Sequence, residues 1–149
     1  MLGGLARWLR MLGYDTTYDS NTADNDLLKI AASENRILLT RDMELYDRAI
    51  NKQIRALFVK GGDEVDRLAF LAKKLQIRLD INMADTKCPQ CGTKLRKVSK
   101  SEVSGIVPPA SLELYSEYWR CANCGKVYWV GSHWKQIKST LEKARALRV

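Results

Sequence analysis

Four cysteines in two matched pairs constrain this chain more than any other feature: Cys88-Pro89-Gln90-Cys91-Gly92 and Cys121-Ala122-Asn123-Cys124-Gly125. In each pair two thiols three positions apart can bite one ion from a tight turn, and the following glycine permits the backbone conformation that aims them. Four sulfurs complete the tetrahedral shell that Zn²⁺ prefers and leave no position open for water or substrate. The spacing therefore predicts a structural zinc held by Cys88, Cys91, Cys121 and Cys124 in a zinc ribbon. Two disulfides or a thioredoxin-like redox pair are the competing chemistries, and the repetition of one knuckle argues against both. The stretch from Thr93 to Arg120 is longer than usual between such knuckles, and the excess reads as an insert containing Pro108 and Pro109.

A chain of 149 residues can bury one ordinary core and carry a metal-stapled appendage. No apolar run approaches the roughly 20 residues that span a bilayer. In the opening MLGGLARWLRMLG the basic residues Arg7 and Arg10 lie inside the apolar stretch, whereas a signal peptide carries them ahead of it. The expectation is a cytoplasmic protein with no membrane partner. Residues 1–86 hold 13 basic and 13 acidic side chains, whereas 87–149 hold 12 basic and 4 acidic, so the whole +8 charge lies on the cysteine-bearing half. So one-sided a distribution is what a phosphate-backbone footprint predicts, because neutralising phosphates releases condensed counterions. A solvated lysine-rich surface is the bland alternative. Candidate nucleic-acid contacts are Arg7, Arg10, Arg41, Lys94, Arg96, Lys97, Lys135 and Lys138.

Hydrophobic spacing predicts an α/β domain over residues 1–86. Leu2, Leu5, Leu9 and Leu12 recur at helical intervals before Gly13, and Asp15–Tyr18 suits a short strand. A second helix carries Leu27, Leu28, Ile30 and Ala31, and Ile37-Leu38-Leu39 is the continuous apolar run of a buried parallel strand. A helix over about Met43–Ile50 and a strand over Ile54–Val59 repeat the unit. Asp63 then caps a helix with Val65, Leu68, Leu71, Ala72 and Leu75 inward. Strands alternating with helices at this spacing predict a parallel sheet flanked by helices. Short strands over Lys94–Val98, Tyr118–Arg120 and Lys126–Val130 build the ribbon, 87–131, and a basic helix over 132–149 follows.

Asp24, Asp26 and Asp42 form a second constellation. Residues just past the C-terminal ends of parallel strands line the ligand crevice of an open sheet, and Asp42 follows such an end. Asp24 and Asp26 open the preceding helix, where their carboxylates can face the same crevice and bind Mg²⁺ or Mn²⁺ for a phosphodiester displacement. Ordinary helix capping is the alternative. His133 is the only histidine, so a nucleophilic triad is poorly supported; it is read as packing or hydrogen-bonding at the last helix's start. Tyr115, Tyr118, Trp119, Tyr128, Trp129 and Trp134 crowd the second knuckle, where they either stack bases or fill a thin core.

With these residues in view, the chain resembles the Mut-seven C-terminal RNase-domain family, a PIN-like nuclease fold with an appended zinc ribbon. The resemblance rests on LGGLARWLRMLGYDT at 2–16, the acids at Asp24 and Asp26, RILLTRD at 36–42, the two knuckles and KVYWVGSHW at 126–134. It implies a metal-dependent ribonuclease whose acidic side chains hold Mg²⁺ or Mn²⁺, with Asp42 matching the acid after the third strand and Asp24 or Asp26 the acid at the helix start. In that family the first strand ends in an aspartate shortly before the Leu-Gly-X-Leu-Ala-Arg motif, whereas this chain begins at Met1-Leu2-Gly3. The first strand is therefore expected to be missing. Either translation starts further upstream, or the protein is a natural short form with a weakened metal site. The leading expectation is an RNA-cleaving or RNA-processing nuclease. The alternatives are a non-catalytic RNA-binding protein docked on a ribosome or another ribonucleoprotein, and a protein-interaction ribbon of the transcription-factor type.

Overall fold

A computed structural model describes residues 2–148. Met1 and Val149, the outer limits expected for the first and last units, lie outside the described residues. Helix α1, Gly3–Met11, buries Leu5, Ala6 and Leu9. It stops because Gly13 takes φ +97°, and the Tyr14 N–H closes back on the Leu9 carbonyl at 2.9 Å. A Cβ on Gly13 would also lie 3.2 Å from the Asp85 carbonyl oxygen, so glycine serves both the turn and a close approach.

The expected strand over 15–18 is not formed; those residues run as irregular chain. A strand exists only where a neighbour completes its ladder, and no described segment forms one with this stretch. Chain order continues with α2 (Asp24–Ser33), β1 (Leu38–Thr40), α3 (Met43–Asn51), β2 (Ala56–Phe58) and α4 (Glu64–Leu75). β1 and β2 pair in parallel, Leu38 with Ala56 and Thr40 with Phe58. Among the described residues this parallel sheet has two strands.

Alternation along the strands feeds two cores. Leu38 and Ala56 join Leu28 and Ala31 of α2 with Leu45 and Ala49 of α3 on one face. Leu39 and Leu57 face the other side, where Leu5 and Leu9 of α1 meet Leu68, Leu71 and Ala72 of α4. Helix α7, Trp134–Arg148, completes that second layer by inserting Leu141 and Ala144, and Arg145 Nη1 donates to the Leu79 carbonyl at 2.5 Å. The basic terminal helix is thus present, and its apolar side is part of the α/β core.

Between α4 and α7 lies an antiparallel sheet in the order β3 (Leu95–Val98), β4 (Tyr118–Cys121), β5 (Val127–Tyr128). The insert holds two short helices, α5 (Lys100–Val103) and α6 (Pro109–Leu114), the first capped by Ser99 and the second opened by Pro109 at its first turn. Val103, Val107 and Leu112 of the insert cover one sheet face with Val98, Tyr118 and Val127. Glu102 of α5 pins it, meeting Arg96 at 3.3 Å and Arg120 at 3.8 Å. The opposite face carries Leu95, Trp119, Tyr128 and the cysteines.

Candidate metal centre and nucleic-acid interface

The two knuckles are built alike. Cys88 N–H donates to the Thr93 carbonyl at 2.7 Å and Gly92 N–H to the Cys88 carbonyl at 2.8 Å; Cys121 N–H donates to Lys126 and Gly125 N–H to Cys121, each at 2.9 Å. Gly92 and Gly125 sit at φ +79° and +78°, the left-handed region these turns need. The result brings four sulfurs within 4.8 Å of one another, with Cys88 3.7 Å from Cys124 and Cys91 3.3 Å from Cys121. Around a zinc at the usual bond length of about 2.3 Å, tetrahedral sulfurs would stand about 3.8 Å apart, so the cluster is compatible with a structural zinc. His133 is not part of it.

Two neighbours act on the thiols. Burial is the largest influence on Cys88 and pushes it up to about 11; the Tyr128 hydroxyl, 3.2 Å from its sulfur, works the other way by favouring the thiolate. Burial chiefly, and then Cys88, raises the Tyr128 phenol in turn. Cys91 is drawn down to about 5, first by the Thr93 side chain and then by the Thr93 backbone. A metal binding here has to displace the thiol protons, and burial makes the one at Cys88 the harder to remove.

The module is seated on the C-terminal end of α1. Arg10 is 6% exposed; its Nε donates to the Thr16 carbonyl at 3.0 Å and its Nη1 to the Pro89 carbonyl inside the first knuckle at 2.9 Å. Carbonyls of the same helix end accept from Lys87 N–H (Arg10), the Thr86 hydroxyl (Met11) and Lys87 Nζ (Gly13) at 2.9–3.0 Å. The Arg10 carbonyl also accepts the Gly13 N–H at 3.0 Å, and the residues before the knuckle add the further partners of this helix end and the turn after it. Arg10, a candidate RNA contact by sequence, is thus a buried strut. Its guanidinium is spent on backbone oxygens.

The three aspartates do not meet. Among the described residues the cysteines are the one group of three or more ligand side chains that converges on a point. Asp42 follows β1 as expected, and its carboxylate accepts from the Glu44 and Leu45 N–H groups at 2.9 and 3.3 Å as the cap of α3. Arg48 of α3 reaches the start of α2, lying 3.9 Å from Asp24 and hydrogen-bonded to Asn25. Asp26 is exposed in the first turn of α2. Arg41 spans the strand ends, donating to the Val59 carbonyl at 2.6 Å with its guanidinium 6.0 Å over the Phe58 ring.

Of the other sequence-selected cations, Arg7, Lys94, Lys135 and Lys138 are exposed. Arg96 is held by Glu102, and Lys97 by Glu117 at 2.8 Å. The aromatic group resolves toward packing at its centre: Tyr118 is fully buried, with its hydroxyl donating to the Ser111 and Tyr115 carbonyls, and Trp119 is 8% exposed. Sequence reasoning did not find Arg48 or the Tyr128–Cys88 contact. The first carries no motif, and the second depends on a cross-strand register that brings Tyr128 beside Trp119.

A small parallel α/β layer carrying a four-cysteine module between its last two helices defines the class. The chain belongs to the Mut7-C RNAse domain family, whose family model matches residues 1–141. No curated protein and no solved structure matches it.

Proposed function

We propose that this protein is a metal-dependent ribonuclease of PIN-like type, acting in RNA processing, with zinc in its cysteine module and Mg²⁺ or Mn²⁺ at the strand ends. The observation that carries the reading is the match to a ribonuclease domain over residues 1–141, nearly the whole chain. Supporting it, Arg41 and Asp42 follow the C-terminal end of β1, the edge at which open parallel sheets generally bind ligands. Asp42, with Asp24 and Asp26, would supply carboxylate oxygens to the hard cation, which stabilises charge developing on the phosphodiester. Arg41, oriented by Val59 and Phe58, would hold an RNA phosphate in this reading. Free thiols suited to metal fit a reducing cytoplasmic location, and RNA bound within the ribosome or another ribonucleoprotein is the partner this reading favours.

The test is cleavage of end-labelled single-stranded and structured RNAs with and without added Mg²⁺ or Mn²⁺, alongside Asp42→Asn. Asparagine caps a helix as well as aspartate, so the variant keeps α3 and loses only charge. Cleavage that needs the divalent ion and vanishes in Asp42→Asn is the expected result. Equal cleavage by the variant overturns the assignment. A second reading, a non-catalytic RNA-binding protein, is favoured by the separation of the three carboxylates and by Arg48 beside Asp24. RNA binding without cleavage under any divalent ion would select it.

A further inference from the structure

Where the cysteine module meets the α/β layer, the end of α1, the chain after α4 and the residues flanking the first knuckle enclose an open cleft of about 370 Å³. Its walls carry Arg78, Lys87 and Lys94, with Asp85 as the one acidic residue of the lining and Tyr14 beside them. The two lysines face each other across an isolated antiparallel bridge that closes the knuckle. Like charges directly opposite in such a pair destabilise the free protein, so the arrangement is suited to an anion that relieves it. Lys87 donates to the Gly13 carbonyl with one of its three hydrogens, Arg78 has only Asp80 at 3.6 Å, and the Lys94 ammonium has no hydrogen bond or ion pair among the described residues. Tyr14 is fixed by its hydroxyl, which accepts the Arg78 N–H at 2.8 Å.

A second cleft, of about 400 Å³, is lined by Asn82, Met83 and Ala84 with Leu95, Trp119 and Lys97, the last paired with Glu117. The 82–85 turn is rigid: Asn82 accepts from Ala84 through its side chain and from Asp85 and Thr86 through its carbonyl, all at 2.9–3.1 Å. A cationic cleft and an apolar one, each of the size that holds one small ligand, are lined by successive residues of this one turn, Asp85 in the first and Asn82, Met83 and Ala84 in the second. That pairing matches the alternation of phosphate and base along an unpaired nucleic-acid strand.

We infer that this junction binds a single-stranded RNA segment, a phosphodiester between Arg78, Lys87 and Lys94 and a neighbouring base against the partly buried Met83. The site rests on the RNA-directed reading above and adds to it a location distinct from the strand ends. α1 and α4 run in the same direction, Trp8 of the one bonding Glu64 at the start of the other and Tyr14 bonding Arg78 beyond its end. The cleft lies past the C-terminal ends of both helices. Asp42 follows the C-terminal end of β1, and its parallel partner β2 leads into the start of α4. The bound segment and the carboxylates therefore lie toward opposite ends of α4, a helix of 12 residues or about 18 Å.

The experiment is anisotropy with a labelled single-stranded RNA dodecamer and the zinc-loaded full chain over a salt series, with zinc content and thermal melting confirming each variant's fold. Arg78→Gln/Lys94→Gln is expected to bind about tenfold more weakly and to flatten the log–log salt slope by up to about 0.7, the contribution of the one phosphate the cleft holds. Met83→Gln should weaken binding at unchanged slope, and Lys29→Gln/Lys52→Gln, an equal reduction of charge on exposed sites of α2 and the end of α3, should bind as the parent does. Parent-like affinity and slope in Arg78→Gln/Lys94→Gln overturn the cleft. Unchanged affinity in Met83→Gln removes the base from it. Equal binding of duplex RNA, or full competition by a nucleoside monophosphate at the dodecamer's concentration, replaces the single strand by another phosphate source and overturns the assignment. Binding through the cleft without cleavage would sink the ribonuclease reading alone; cleavage with a parent-like double variant would sink the cleft alone.

Discussion

Arg10 and Tyr128 show how single side chains tie the metal module to its surroundings. Arg10→Met keeps the length of the side chain but leaves the Thr16 and Pro89 carbonyls without their charged donor, and is expected to cost about 3 kcal/mol in thermal or denaturant unfolding. Arg10→Lys should recover only part of this, because one ammonium cannot reproduce the two directions of the guanidinium. Tyr128→Phe removes the hydroxyl beside Cys88 while keeping the ring in its apolar surroundings. Partners of metal ligands typically contribute roughly 10–100-fold in affinity, so competition with a chromogenic chelator should show zinc held roughly tenfold or more weakly, with the sheet intact. A full-affinity Tyr128→Phe protein would mean the phenol only packs.

At the scale of elements, helix patterns were readable and partners were not. Leu68, Leu71 and Ala72 mark the inward stripe of α4 in the sequence, but nothing local says that α7 covers it. Leu141→Ala opens a void between those helices and should lower unfolding free energy by about 2–5 kcal/mol. A change within about 0.5 kcal/mol, the range of ordinary surface substitutions, would show α7 to be peripheral. The 15–18 segment failed as a strand for the same reason in reverse: its Thr-Thr-Tyr composition suits a pleat, yet propensity cannot supply a ladder. The insert was legible as an interruption. Its two short helices depend on the sheet face they cover, so their conformation is a tertiary outcome.

For the whole molecule, the joint between the module and α1 changes what metal removal should do. A ribbon hanging from a linker would unfold alone; here Thr86, Lys87 and Pro89 complete the hydrogen bonds of the Arg10–Gly13 end. Chelation followed by hydrogen exchange should therefore remove protection from 87–130 and from the last turn of α1 together. The layer of Leu28, Ala31, Leu38, Leu45, Ala49 and Ile54 packs within itself and should stay protected. Deprotection confined to the sheet strands, with α1 unchanged, would show the joint to be weak.

The sequence by itself determined the features that depend on near neighbours along the chain. These are the two knuckles and their glycines, the helical stripes, the Asp42 and Asp63 caps, and the charge excess after residue 86. Each follows from spacing, because the interacting groups lie within about five residues of one another. Only the tertiary structure decided that Arg10 is a buried strut, that Arg96 and Lys97 are already paired with acids, and that Arg78, Lys87 and Lys94 share one cleft. It also left Asp24, Asp26 and Asp42 apart, although their places at helix starts and a strand end invited a common site. Burial and long-range charge pairing arise from how separate elements pack, and a one-dimensional pattern records which groups are present without recording which of them meet.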